Sequence, residues 1–124
     1  VSPRSEEYFS QARERLTVSQ EAFEAGHFTV AISIAYYAML NAARAALSED
    51  EENARTHRGT WMLFRERYVL TDAFDDDLFT LAQHAQTARE EGDYEAAKHS
   101  EQLARHYVEG AGRFVAETER MLNG

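Results

Sequence analysis

The stretch Ala31-Ile32-Ser33-Ile34-Ala35-Tyr36-Tyr37-Ala38-Met39-Leu40-Asn41-Ala42-Ala43-Arg44-Ala45-Ala46-Leu47 decides the fold. A surface helix keeps one polar face, and this segment has none. As an apolar run it is also too short to cross a bilayer. It therefore reads as the central, buried helix of a small bundle, extending over Phe28 to Leu47. A helix apolar on every side needs neighbours on several sides, and the remaining chain must supply them.

Upstream, Ser2 before Pro3 is a helix start, with Ser2 as N-cap, Pro3 at the first helical position and Glu6 and Glu7 in the opening turn. This first helix runs to about Ala25, carries Phe9, Ala12, Leu16 and Phe23 at three-and-four spacing, and stops at Gly26. Downstream, the polar run Ser48 to Asn53 makes a solvated loop. A third helix starts after Thr56, carries Trp61, Leu63, Phe64 and Tyr68, and ends near Val69. Thr71 or Asp72 caps a fourth, whose buried stripe is Phe74, Leu78, Leu81, Ala82 and Ala85. Asp72, Asp75, Asp76 and Asp77 suit the positive end of its dipole better than they suit a metal. Gly92 then Asp93 read as a stop and a new cap, giving a fifth helix from Tyr94 to about Leu122. The expected fold is all-α, an antiparallel bundle of about five helices in one domain over residues 1–124, without a sheet.

A chain of 124 residues buries roughly two-thirds of its unfolded surface, enough for one core. With no cysteine there is no disulfide and no thiolate metal site, which fits a reducing cytoplasm. Residues Val1 to Glu7 lack a basic segment leading into an apolar one and do not read as a secretory signal. A formal net charge of -9 repels a phosphate backbone on average, so any nucleic-acid contact must be local. One such patch is Arg55, Arg58, Arg65 and Arg67, opposed only by Glu66. The same arginines could equally be spent in ion pairs with the abundant carboxylates.

The glycine elbow of serine hydrolases, the phosphate-cradling glycine loop and the His-Glu-x-x-His zinc signature are all absent, which argues against most common enzyme classes. Glu95, His99 and His106 are the best metal candidate, but on one straight helix they would span about 16 Å and could not converge on one ion. We therefore expect no metal and no cofactor. Tyr36 and Tyr37 are adjacent, so one faces the core and the other points elsewhere; each buries a ring and needs a partner for its hydroxyl. Arg44 lies on much the same face and must find a carboxylate or reach solvent. His57, between Arg55 and Arg58, titrates near neutrality and can serve as acid, base or phosphate contact, or as a capping or packing residue.

The Tyr36-Tyr37 helix with Arg44-Ala45-Ala46-Leu47, the Thr56-His57-Arg58-Gly59 segment and Arg89-Glu90-Glu91-Gly92-Asp93-Tyr94 together resemble the HEPN domain, a helical family tied to RNA cleavage and to nucleotidyltransferase partners. The resemblance covers most of the chain and implies a four-helix core, a homodimer, and a setting of the toxin–antitoxin or defence kind. It is most similar to the small stand-alone branch carrying Arg-x-x-x-Asp-Tyr. Nuclease members have a histidine four to six residues beyond the motif arginine. Here Arg89 matches the arginine and Tyr94 the aromatic position, but Asp93 stands where the histidine is expected. A carboxylate there repels phosphate rather than donating to it. Asn41 likewise stands where many relatives have a histidine. The resemblance thus implies a binding or accessory module contacting RNA, a nucleotide or a nucleotidyltransferase through Tyr36, Tyr37, Asn41, Arg44, Arg55, His57, Arg58, Arg89 and Asp93. The alternatives are a metal-independent ribonuclease built on Arg89, Tyr94 and His57, and a helical scaffold without a nucleic-acid role.

Overall fold

Local signals set the first hairpin. In a computed structural model describing residues 1–95 and 99–124, with all their side chains except those of 92–95, α1 spans Pro3–Glu24 and α2 spans Phe28–Glu49. Ser2 caps α1, its side chain accepting from the Ser5 amide at 3.1 Å, with Pro3 in the first turn. At the other end Gly26 adopts φ +83°. Its amide donates to the Phe23 carbonyl at 3.0 Å and the His27 amide reaches back to Ala22 at 2.9 Å. This pair of reversed bonds closes a helix through a left-handed residue, where glycine meets no Cβ penalty. The chain turns back at once, and the buried Ser5 hydroxyl donates to the Ala45 carbonyl at 2.8 Å, tying the start of α1 to the end of α2.

Helix α2 is the axle of the bundle. Its alanines, with Ile32, Tyr36, Met39, Leu40 and Leu47, are buried, and α1, α3, α4 and α5 all pack on it. Length does not exclude α2 from a bilayer, contrary to the sequence reading, because the helix runs through Ser48 and Glu49 to 22 residues. What distinguishes it is burial: 72% of its apolar window lies inside the fold. Because the other four helices already cover most of α2, leaving Val30 as its one large exposed apolar residue, its composition alone gives no reason to invoke a second copy of the chain.

Helix α3, His57–Phe64, opens on Thr56, whose side chain accepts from the Gly59 amide at 2.9 Å. It runs on as a π-turn over Arg65–Val69, closed by the Leu70 amide on the Arg65 carbonyl at 2.9 Å. The wider turn brings the Tyr68 hydroxyl to the end of α2, where its one proton faces both the Ala46 carbonyl at 2.9 Å and the Asp50 carboxylate. Burial and that carboxylate push the Tyr68 phenol well above its ordinary range.

Helix α4, Asp76–Glu95, starts later than Thr71 or Asp72 would dictate. Its first amides bond to the Asp75 carboxylate, Asp77 at 2.7 Å and Leu78 at 3.3 Å, while Asp72 sits at φ +63° in the preceding turn. The Gly92-Asp93 stop does not operate either, since α4 continues to Glu95. Helix α5 covers Glu101–Asn123 and is capped by Ser100, which accepts from the Leu103 amide at 3.1 Å. A mid-helix glycine costs only about 1 kcal/mol, an amount packing overrides, and Ser100 followed by Glu101 is the stronger start signal. An aromatic cluster of Trp61, Phe64, Phe74, Phe79 and Phe114 joins α3, α4 and α5, with centroids such as Phe74–Phe114 at 4.7 Å and Trp61–Phe114 at 5.9 Å. The described residues are all-helical, with no strand.

Candidate functional site

Three helices bring polar groups to one place. From α2 come Tyr36, Tyr37 and Arg44; α3 contributes its first residue, His57, and α4 contributes Arg89 near its C-terminal end. Tyr36 is fully buried while Tyr37, Arg44, His57 and Arg89 are half-buried. The Tyr36 hydroxyl accepts from Trp61 Nε1 at 3.0 Å and lies 3.2 Å from His57 Nδ1. Indole nitrogen can only donate. The arrangement of neutral His57 that uses every donor therefore has the Tyr36 O–H donating to Nδ1, with the ring proton on Nε2.

Ring contacts hold the rest. The Tyr36 and Tyr37 rings meet edge-on at 5.4 Å, and the His57 ring packs 5.8 Å from each. The Arg89 guanidinium lies 5.0 Å from the Tyr37 ring centroid and 5.8 Å from that of Tyr36, an attraction between a cation and the negative faces of the rings. Burial lowers the His57 pKa from its ordinary value, and the nearby charges of Arg44 and Arg89 lower it further against the opposing pull of Glu90. Burial raises the Tyr36 phenol, with the Trp61 hydrogen bond and the charges of Arg89 and Arg44 working the other way. The cluster thus presents a neutral imidazole with a guanidinium on α2 and another on α4, resting on two tyrosine rings.

Tyr36, Tyr37, Arg44, His57 and Arg89 are the sequence candidates that the fold unites. Arg44 forms no ion pair among the described residues and lies near His57, so of the two outcomes anticipated for it, solvent prevails over a carboxylate. Asn41 is buried one turn along α2, where its Nδ2 donates to the Tyr37 carbonyl at 2.9 Å. The arginine patch divides. Arg67 pairs with Glu52, whereas Arg55, Arg58 and Arg65 are exposed and make no ion pair among the described residues. The side chains of Asp93 and Tyr94, and that of Glu95, lie outside the described residues. His99 Nδ1 is 3.1 Å from the Thr29 hydroxyl, and His106 packs on Tyr107.

Trp61 and Glu90 were not among the sequence candidates. For Trp61 a signal existed: it follows His57 by four residues, hence on the same helix face, and a buried indole N–H needs an acceptor. Glu90 carries no such signal, since its relation to His57 arises only because α3 and α4 both pack on α2.

Against known proteins, residues 5–121 match the HEPN domain. The chain belongs to the HEPN domain family. Among curated HEPN-type relatives, a UPF0332 protein of Archaeoglobus fulgidus is 36% identical over 106 residues, covering 85% of this chain and 84% of its own. A protein named "Putative toxin" in Methanocaldococcus jannaschii is 25% identical over 118 residues, 94% of this chain and 80% of its own. A UPF0332 protein of Gloeobacter violaceus is 26% identical over 117 residues, 93% of each. In this HEPN domain the matched region contains all three helices that build the tyrosine–histidine–arginine cluster.

Proposed function

We propose that this HEPN protein is an RNA-binding accessory module of a toxin–antitoxin-like system, working as a homodimer with a nucleotidyltransferase partner, and that Arg44, His57 and Arg89 hold an RNA phosphate. One observation carries the reading. Two guanidinium groups converge on an imidazole from three different helices, in a chain whose net charge is -9. A phosphate beside them gains charge-assisted hydrogen bonds from the guanidinium groups and the imidazole. The toxin-named relative and the HEPN membership support the setting; the nucleotidyltransferase and the second copy of the chain rest on the family resemblance.

A second reading, metal-independent RNA cleavage, draws on His57 itself. His57 can act as a base in the other tautomer, with its proton on Nδ1 donating to the Tyr36 oxygen and Nε2 free, and the two nearby guanidinium groups can stabilise developing phosphorane charge. The two readings separate in one experiment. A labelled oligoribonucleotide is titrated with wild type, Arg44→Ala, Arg89→Ala and His57→Gln in EDTA, following anisotropy, and the same samples are run on a denaturing gel. The binding reading predicts intact RNA and an affinity loss of about ten-fold for each arginine variant. Fragments that disappear in His57→Gln would establish cleavage. RNA neither bound nor cut by wild type would leave a scaffold.

A further inference from the structure

Beside the cluster, α3 and α4 enclose an open groove of about 320 Å³, and nothing in the phosphate-binding reading uses it. Arg58 and Met62 of α3 with Arg65 of the following π-turn form one wall, Phe79, Gln83 and Gln86 of α4 the other, and Trp61 its floor. Arg58, Met62 and Arg65 follow one another at four and three residues, one face of a helix, and so run along the groove for about 10 Å. Met62 is 53% exposed, one of a few large apolar residues of the chain that face solvent. In a chain with 22 acidic residues, no carboxylate lines this groove, and Arg58 and Arg65 have no ion-pair partner among the described residues. Gln83 Nε2 is buried there without a hydrogen-bond partner.

We infer that the groove is a subsite for the base of a single-stranded RNA nucleotide whose phosphate is held by Arg44, His57 and Arg89; the inference rests on that phosphate reading. Unstacked bases are bound by apolar side chains and guanidinium planes, and are told apart by hydrogen bonds to their edges. Met62 with Arg58 and Arg65 supplies the first, and the Gln83 amide supplies a donor that the protein itself leaves unused. Two links join the groove to the cluster. Arg58 follows His57 directly, and Trp61, the floor of the groove, donates to the same Tyr36 hydroxyl that contacts His57. A protein helix would also cover Met62, but it would have to accommodate two guanidinium groups without an ion-pair partner among the described residues and satisfy the Gln83 amide, which a base flanked by phosphates does with its own chemistry.

The test compares an adenylate hexamer with an abasic ribose–phosphate hexamer of the same charge, using the fluorescence of Trp61, the sole tryptophan, together with binding affinity. Wild type should bind the adenylate hexamer about ten-fold tighter than the abasic one, with a change in Trp61 emission on adenylate alone. In Gln83→Leu that advantage should fall to less than about three-fold while affinity for the abasic hexamer and the melting temperature hold. Met62→Ser should reduce the advantage likewise. Equal binding of both hexamers by wild type, weakened in Arg44→Ala, would remove the base subsite, leave the phosphate cluster standing and point to a protein as the occupant of the groove. An advantage that survives in both groove variants would place the base elsewhere and overturn the inference. Binding of neither hexamer would remove the phosphate reading and the subsite together.

Discussion

His57 is the residue on which the account turns, and its surroundings make it titrate unusually. Burial first, then Arg44 and Arg89, hold its pKa below the ordinary 6.5. Below that value the unfolded chain takes up the proton before the folded one does. The stabilisation from keeping a neutral imidazole is therefore complete above pH 6.5 and is lost as pH falls toward the lower folded value. Melting temperatures measured between about pH 8 and about pH 5 should fall more steeply for wild type than for His57→Asn. Tyr36 tests the same chain of contacts from the other side. Tyr36→Phe strands the buried Trp61 N–H and should cost roughly 1–3 kcal/mol in denaturant unfolding, far more than the loss of an exposed hydroxyl. Gln83 has the opposite sign: its buried amide end is unsatisfied, so Gln83→Leu should leave stability unchanged or raise it by up to about 1 kcal/mol.

A helix end places His57, and a cap decides that end. Thr56 caps α3 and its bond to the Gly59 amide fixes where His57 emerges. Thr56→Ala should cost about 1 kcal/mol and weaken RNA binding as well, whereas Thr56→Ser should preserve both, because serine caps equally well. Elements with a strong local signal were legible in the sequence. Ser2 with Pro3, Gly26 and Thr56 each announced a boundary that the structure has. The α4–α5 boundary was misread because Gly92-Asp93 carries the same local signal without its effect, and propensities of this size yield to tertiary packing. The cluster was legible only as separate names. Tyr36, Tyr37, Arg44, His57 and Arg89 lie up to 53 residues apart in the chain, and their meeting depends on how α3 and α4 cross α2, which no local pattern encodes. The buried indole donor and the unspent Gln83 amide are likewise properties of packing.

At the scale of the molecule the cluster is a local positive feature in an acidic protein. A patch of few charges against a net charge of -9 predicts RNA binding that weakens only modestly with salt, with Arg89→Ala and Arg44→Ala each lowering the slope of log affinity against log salt by about 1. The proposed homodimer predicts that light scattering at micromolar protein returns about twice the chain mass of 14.2 kDa; a mass near 14.2 kDa would make the module act as a single copy. The long apolar helix that first marked the fold is mostly used as its axle, so it gives no argument of its own for a dimer.

The proposed phosphate site of Arg44, His57 and Arg89 is tested most directly by the titration of His57 followed by NMR, in the free protein and with an oligoribonucleotide bound. The account predicts a pKa below the ordinary histidine range in the free protein and a rise when RNA binds, because a phosphate beside the imidazole favours its charged form. The same pKa with and without RNA, under conditions where the RNA is bound, would contradict it.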